Sequence, residues 1–233
     1  MQLRLIITVI TFAYATILTQ NTLAQSGNVG IGTTNPLARL HVADSGVLFT
    51  STTLNNTSPP PVSGGGIRFM WYPEKAALRA GRVANPPFGF PELSASEFNW
   101  DKDSVGIYSI SMGFTTKAIG NSSASFNAYT NAYGRSSMAF GQETQAFGNY
   151  STSMGNGTFA VGTGSTSMGI ETRATGDYSI SMGNNTMSRP YASFVIGRFN
   201  DSIASSNPNG WVNTDPVFIV GNGSSNSSRS NAM

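Results

Sequence analysis

The sequence contains no cysteine among its 233 residues and only one histidine, His41. A disulfide framework and a thiolate metal site are therefore excluded, and His41 has no second histidine or cysteine with which to share a metal. Only 10% of the residues are charged, with thirteen lysines and arginines against eleven aspartates and glutamates. Such a small excess gives no electrostatic reason to expect nucleic acid as a partner.

Long apolar runs are scarce, and the one that stands out lies near the start. Residues 5–18 are largely apolar, follow the positive charge of Arg4, and precede the small residues Thr22 and Ala24. This arrangement is typical of a secretory signal peptide, whereas a membrane-spanning helix needs about 20 apolar residues. We therefore predict that residues 1–24 are a signal peptide and that the protein is exported, to the cell surface, the outer membrane or the extracellular space.

Glycine is abundant, and it recurs every seven residues over residues 104–197. The series is Gly106, Gly113, Gly120, Gly134, Gly141, Gly148, Gly155, Gly162, Gly169, Gly176, Gly183 and Gly197. Asn127 and Pro190 occupy two further positions of the same series, and we call every position of this series a slot. Four residues before each slot, serine and threonine alternate, so the true repeat has fourteen residues, made of a serine half and a threonine half. A fixed period of this kind is the signature of a repeat architecture.

The residues between the glycines exclude a coiled coil. One glycine per heptad costs about 1 kcal/mol relative to alanine in a helix, and no apolar pattern occupies two positions per heptad. Alternation by two instead indicates short strands, with serine or threonine, a small residue and glycine on one face. We predict an all-β fold, a parallel β-roll of two-strand coils whose narrow interior holds only small side chains.

The glycines are expected at the corners of each coil, where positive φ is cheap only for glycine. Asn127 fits such a corner because asparagine tolerates positive φ better than most residues. Pro190 does not, because its ring holds φ near −65°. We therefore predict that regular coiling loosens over residues 187–191 and resumes over residues 192–197.

The outward face differs between the two halves. The serine half places apolar side chains immediately before the glycine: Met112, Phe126, Phe140, Met154, Met168, Met182 and Ile196. The threonine half carries polar residues two positions earlier: Lys117, Asn131, Gln145 and Arg173. A long apolar stripe on a monomer's surface marks an association site, so we predict that the first set is a seam between identical chains and that the second is a ligand face. In the alternative, the apolar side chains fill a wider core within one chain.

The units in SSMAFGQETQAFGNYSTSMG, residues 136–155, resemble the head repeats of YadA-like trimeric autotransporter adhesins. The resemblance covers residues 104–197 and implies a left-handed roll, a homotrimer, and binding to host surfaces, matrix proteins or glycans. The flanking segments NVGIGTTNPLARLHV, MWYPEKAALRAG and DPVFIVGNGSSNSSRSNAM are similar to segments around such heads in large secreted or tail-fibre-like proteins. No neck, stalk or membrane anchor follows residue 197, so we expect either a fragment of a longer protein or a head that is released or held by partners.

The remaining segments are assigned by composition. We predict an N-terminal turn and strand segment at 25–54, a Pro/Gly linker at 55–66, and a small β region at 67–103 with strands over 67–72 and 76–83. Residues 198–233 form a C-terminal segment, which is Ser/Asn-rich and expected to be unstructured from residue 221 onward.

No catalytic constellation is evident. A Ser-His-Asp triad needs a histidine within hydrogen-bond reach of the serine, and His41 is distant in sequence from the regularly spaced serines of the repeats. We expect no enzyme activity, no cofactor and no metal. The leading hypothesis is a surface or secreted adhesin head. A passive structural spacer is the second, and an ice-binding solenoid, prompted by the regularly spaced hydroxyls, is the third.

Overall fold

The structure of the protein is a computed structural model that describes residues 29–34, 37–44, 46–52, 54, 58–84 and 96–232. The predicted signal peptide, residues 1–24, lies outside these residues. Within the described ranges, no helix is long and apolar enough to cross a membrane. The chain divides into two compact units, Met1–Phe49 and Thr50–Met233.

In the first unit, two short strands pair in parallel: β1 (Val29–Ile31) and β2 (Leu40–Val42). Both strands lie in the segment 25–54, for which a turn and a strand were predicted. His41 lies on β2, and its Nδ1 accepts a hydrogen bond from the backbone N–H of Leu37 at 3.2 Å.

The second unit begins with an antiparallel hairpin. Strands β3 (Gly66–Tyr72) and β4 (Ala77–Val83) are joined by a 3-10 turn, Pro73–Lys75. Both strands were predicted from the sequence, over 67–72 and 76–83. Strand β4 pairs in parallel with the first strand of the repeats, so the hairpin is the first rung of the solenoid and not a separate β region.

The repeats form a parallel β-solenoid with two strands per fourteen-residue coil, as predicted. The long strands come from the serine halves: β5 (Ile110–Phe114), β7 (Ala124–Ala128), β9 (Met138–Gln142), β11 (Thr152–Asn156), β13 (Thr166–Ile170), β15 (Ile180–Asn184) and β17 (Phe194–Arg198). The short strands come from the threonine halves: β6 (Lys117–Ala118), β8 (Asn131–Ala132), β10 (Gln145–Ala146), β12 (Phe159–Ala160), β14 (Arg173–Ala174) and β16 (Met187–Ser188).

The strands stack into two sheets. The long-strand sheet has ten strands, because β3, β4 and a final strand β18 (Phe218–Asn222) join the seven repeat strands. The short-strand sheet contains the six strands of the threonine halves. Each repeat strand pairs with the equivalent residues one coil later, as Ser153 does with Ser167, so the fourteen-residue period sets the register.

Every coil turns its small residues inward. The serines and threonines four positions before each slot have exposed fractions of 0–1%. The residues two positions before each slot are equally buried. In five coils a serine Oγ and a threonine Oγ1 lie within hydrogen-bond distance across the tube, as in Ser153 and Thr158 at 2.7 Å. The predicted narrow interior is therefore confirmed, and cross-tube hydrogen bonds hold its two sheets together.

One coil lacks this hydrogen bond, and restoring it should stabilise the protein. Ala139 stands where those five coils have serine, and the facing Thr144 Oγ1 is buried without a partner among the described residues. We expect Ala139→Ser to raise the free energy of unfolding by about 1 kcal/mol, measured by urea denaturation. In a Thr144→Val background the gain should vanish, and an equal gain in both backgrounds would contradict this explanation.

The two glycine ladders have different structural roles. Serine-half glycines have φ between 109° and 129°, and Asn127 has φ 84°, which confirms its predicted tolerance. Threonine-half glycines do not have positive φ. Both ladders approach the next coil closely, as at Gly148, where a Cβ would lie 2.0 Å from the carbonyl oxygen of Gly162. In the threonine half this approach alone requires glycine.

This difference explains why the predicted loosening at residues 187–191 is wrong. Strand β16 pairs in register with β14, and coiling continues through Pro190. Pro190 occupies a threonine-half slot, where φ is not positive, so its ring is compatible with the backbone. Because β16 is the terminal strand of its sheet, no further short strand packs against Pro190.

Two large side chains close the N-terminal end of the tube. Arg79 on β4 pairs with Ser111, a small inward residue of the next coil, and is fully buried. Its guanidinium donates to the carbonyl oxygen of Ala118 at 3.1 Å, and burial lowers its pKa to about 9. The Trp100 Nε1 donates to the carbonyl oxygen of Thr116 at 2.9 Å. Backbone carbonyls thus accept hydrogen bonds from both side chains at this end, and the buried Arg79 Nε is left without a partner among the described residues.

Asn200 ends the short-strand sheet in place of another strand. It stands one coil beyond Thr186 and is fully buried. Its Oδ1 accepts from the Met187 N–H at 2.7 Å, and its Nδ2 donates to the Met187 carbonyl at 2.9 Å. The side-chain amide therefore supplies the donor and the acceptor that a further strand would have offered.

The prediction of an unstructured end from residue 221 is wrong for the described residues. Strand β18 pairs with β17 in register, with Ile196 opposite Val220. The chain then folds back, and the backbone N–H groups of Asn222 and Ala232 donate to the carbonyls of Ser230 and Val220. These contacts cover the edge of β18, which protects it from pairing with other chains.

Candidate functional site

The long-strand sheet turns an apolar column outward, and the seven predicted seam residues lie in it at equivalent register positions. The exposed fraction is 37% for Met112 and Met154 and 39% for Ile196, while the other four are half-buried. The rings of Phe126 and Phe140 stack with centroids 4.8 Å apart. These side chains contact their neighbours along the column but lie outside the tube, so they do not fill a single-chain core.

The column is longer than the repeats. Register continues it through Ala80 to Phe69 on β3 at one end, and from Ile196 to Val220 on β18 at the other. Phe69 is 74% exposed. At about 4.8 Å per strand, ten strands give a column roughly 43 Å long. We call these outward residues the apolar face: Phe69, Ala80, Met112, Phe126, Phe140, Met154, Met168, Met182, Ile196 and Val220.

The short-strand sheet carries the predicted ligand face. Lys117, Asn131, Gln145 and Arg173 lie in one column by register, and Phe159 and Met187 complete it. The Arg173 guanidinium lies 5.4 Å from the centroid of the Phe159 ring. Lys117 Nζ lies 5.9 Å from the Tyr133 centroid, and burial lowers the pKa of this ammonium.

The side of the tube that carries the predicted ligand face is not uniformly polar. Tyr133 and Phe147 form a second outward column beside the first and stack with centroids 4.9 Å apart. Their exposed fractions are 36% and 42%. The position directly before each glycine points outward in both halves, and in these two threonine halves it carries an aromatic residue.

The chain turns at positions that the sequence analysis did not identify. One corner lies two residues after each serine-half slot, with φ 41–60° throughout; its five middle positions are Tyr129, Glu143, Gly157, Glu171 and Asn185. The corner N–H donates to the previous coil, as Glu143 does to the carbonyl of Ala128 at 3.0 Å. These hydrogen bonds offset the cost of a left-handed conformation in non-glycine residues and project the corner side chains outward.

A groove of about 710 Å³ runs between this corner and the short-strand sheet. This corner groove is lined by Tyr129, Asn131, Gln142, Glu143, Gln145, Gly157, Phe159, Glu171, Arg173, Asn185, Thr186, Met187 and Arg229. It includes three of the four predicted ligand-face residues and leaves out Lys117. Arg229, from the C-terminal segment, donates to the carbonyl of Asn185 at 2.8 Å and so is fixed at one end of the groove.

Several polar groups of the groove are unpaired, while Arg229, Asn185 and Thr186 have hydrogen-bond partners. Among the described residues, the carboxylate of Glu171 and the guanidinium of Arg173 have no hydrogen-bond or ion-pair partner. The same holds for the side-chain amides of Asn131 and Gln145, while Glu143 accepts only from Gln142, at 3.3 Å. Two carboxylates and two guanidinium groups make the formal charge of the groove zero, so its lining offers both donors and acceptors to a ligand.

A comparison with known families matches two copies of the YadA head domain repeat, at residues 132–158 and 160–186. The coils at 132–186 are therefore YadA-like head repeats. Both matched segments lie within the stacked coils, and the second contains Arg173 and Glu171 of the corner groove. A search of curated proteins finds no significant match to the chain.

The YadA head family and the β-solenoid fold indicate an adhesin-like structural module. Across the described residues, no three histidines, aspartates or glutamates come close enough together to hold a metal. The hydroxyl ladders that prompted the ice-binding hypothesis are buried inside the tube of the head, with exposed fractions of 0–1%. An ice surface cannot contact them without unfolding the coils.

Two rungs of the head lie outside the predicted limits of 104–197, and the sequence contained a signal for one of them. Residues 218–221 read FIVG, closely matching FVIG at 194–197, but an insertion between them breaks the fourteen-residue spacing. Gly81 on β4 has φ 126° and pairs with Gly113. The FIVG motif, read without a fixed period, extends the solenoid beyond residue 197, whereas residues 77–81 share only the glycine with the repeat.

Proposed function

We propose that this head is a homotrimeric attachment module, exported and displayed outside the cell. Three copies pack their apolar faces around a common axis, and the short-strand sheets point outward to contact glycans or matrix proteins. The ligand face consists of Lys117, Asn131, Gln145 and Arg173.

The observation that carries the proposal is the apolar face itself. The tube interior is filled by serine, threonine, alanine and glycine, so the methionines and phenylalanines have no place inside. A column roughly 43 Å long with half-exposed Phe126 and Phe140 is far larger than the scattered apolar residues of a monomer surface. Closed symmetry covers such a column with identical copies of itself, in line with the resemblance to trimeric adhesins.

Binding of the purified segment 25–233 to immobilised matrix proteins and to a glycan array tests the attachment role. We expect saturable binding to at least one of these surfaces. The triple variant Lys117→Ala, Gln145→Ala, Arg173→Ala should lose about tenfold or more in affinity, because it removes two cations and an amide from the ligand face.

A matched triple variant on a remote surface controls for nonspecific effects of alanine. Asn209→Ala, Trp211→Ala and Asn213→Ala change exposed residues of the insertion after β17 and should leave binding unchanged. If wild type and both variants bind no surface while remaining folded and trimeric, the head is a passive spacer. If both triple variants lose binding equally, the ligand face is wrongly placed.

A further inference from the structure

We propose that the corner groove binds a neutral, hydroxyl-rich glycan chain, with Gly157 forming the notch that admits it. This inference rests on the proposed attachment function and specifies the class of ligand and the place where it binds. It is carried by three observations: a gap in the corner column, unpaired donors and acceptors beside the gap, and the absence of a free backbone edge in this part of the sheet.

Gly157 removes one side chain from the corner column and leaves a shallow notch whose floor is in van der Waals contact with Glu171. The other corner positions of the groove carry the side chains of Tyr129, Glu143, Glu171 and Asn185. A Cβ built at Gly157 would meet nothing closer than the Glu171 Cγ at 3.5 Å. On the opposite corner of the solenoid, glycine at 164 is different, because a ring atom of Tyr178 lies 2.9 Å from the Cβ position.

The groups around the notch match hydroxyls better than ions. A carboxylate such as Glu171 only accepts hydrogen bonds, and a guanidinium such as Arg173 only donates them. A hydroxyl does both, so a sugar can pair with these two groups at once. The lining carboxylates repel a polyanion and the lining guanidinium groups repel a polycation, which leaves a neutral polar ligand as the one that gains at every contact.

Aromatic residues support this lining. The Phe159 ring holds the Arg173 guanidinium at 5.4 Å and so orients its donors. Tyr129 is fixed edge-to-face against Phe114, with centroids 5.1 Å apart. Rings fixed in this way give apolar walls against which the C–H groups of a sugar can pack, with little ordering cost on binding.

Recognition of an extended peptide would need a different surface. Peptides commonly add to a sheet through unpaired backbone groups. Here β8, β10, β12 and β14 are paired on both sides, as Phe159 is with Gln145 and Arg173. The outer edge of β16 is bonded by the Asn200 amide, and the corner N–H of Gly157 donates to the carbonyl of Gln142 at 2.9 Å. Only side chains remain available, which favours a ligand recognised through its own hydroxyls.

The test fills the notch without disturbing the corner. Gly157 has φ 60°, and asparagine is already present in the same column at Asn185, with φ 53°. Gly157→Asn should therefore keep the fold and the oligomeric mass. The control is Ser122→Asn, at an exposed corner on the opposite edge with φ 58°. The probes are neutral manno-, cello- and N-acetylchito-oligosaccharides, heparin, and an unfolded polypeptide, each measured by calorimetry.

We expect wild type and Ser122→Asn to bind at least one neutral oligosaccharide and Gly157→Asn to bind it about tenfold or more weakly. Binding of heparin or polypeptide alone, or equal binding by Gly157→Asn, overturns the glycan groove. In that case the attachment role survives if the alanine variant of the ligand face still loses adhesion. If wild type adheres to no probe and to no matrix protein, the proposed function fails together with this inference.

Discussion

Replacing Gly148 by alanine is expected to unfold the solenoid or to lower its free energy of unfolding by about 3 kcal/mol or more. The new Cβ would lie 2.0 Å from the carbonyl oxygen of Gly162 and 2.5 Å from its carbonyl carbon. Both atoms belong to the backbone of the next coil, which hydrogen bonds hold in place, so they cannot rotate away as a flexible side chain would. Urea denaturation at a fixed protomer concentration measures the loss.

Pro190→Ala is the matched control for this substitution. Pro190 occupies the same slot of the threonine half, but the short-strand sheet ends at β16, so no strand packs against it. We expect a change within about 1 kcal/mol, mainly from the greater freedom of the unfolded chain. Equal losses for the two variants would show that the close approach of coils does not explain the glycine ladder.

The double variant Met154→Lys, Met168→Lys is expected to convert a trimer into single protomers. Both methionines lie in the apolar face, on adjacent strands. In the proposed assembly three copies would bring six ammonium groups together beside the axis, and each buried unpaired charge costs several kcal/mol. Light scattering at micromolar concentration should give a mass of about one protomer for this variant and about three for wild type.

Gln145→Lys serves as the control for added charge. Gln145 lies on the short-strand sheet, which faces outward in the proposed assembly, so the mass should remain that of three protomers. A wild-type protein that stays a soluble single protomer would overturn the trimer outright. An unchanged mass for the double lysine variant would show instead that copies associate through another surface.

The repeat alone determined most of the fold. The sequence shows the fourteen-residue spacing, the small inward residues and the apolar stripe. These features predict the solenoid, its narrow interior and the exposure of Met112 and Met154. The reason is that each coil contacts mainly its neighbours, so a local pattern repeated in sequence specifies the whole stack. The match to YadA head repeats at 132–186 rests on this regularity.

Only part of the corner groove could be predicted from the sequence. Asn131, Gln145 and Arg173 were identified because their column follows the period. Gly157 was not, since its importance depends on the corner conformation and on what neighbouring coils leave empty. Arg229 joins from more than forty residues away in sequence, and no pattern in the chain indicates that contact.

The sequence by itself determined a narrow tube, because only small residues recur at its inward positions and any period of this kind must stack. The tertiary structure decided where the tube begins and ends. It did so through single buried side chains, Arg79 at the first rung and Asn200 beyond the last short strand, which satisfy backbone groups that no further coil could reach. Periodicity cannot predict the ends of the solenoid, because the repeat stops there. The hydrogen bonds that satisfy the backbone at each end depend on contacts that only the folded chain brings together.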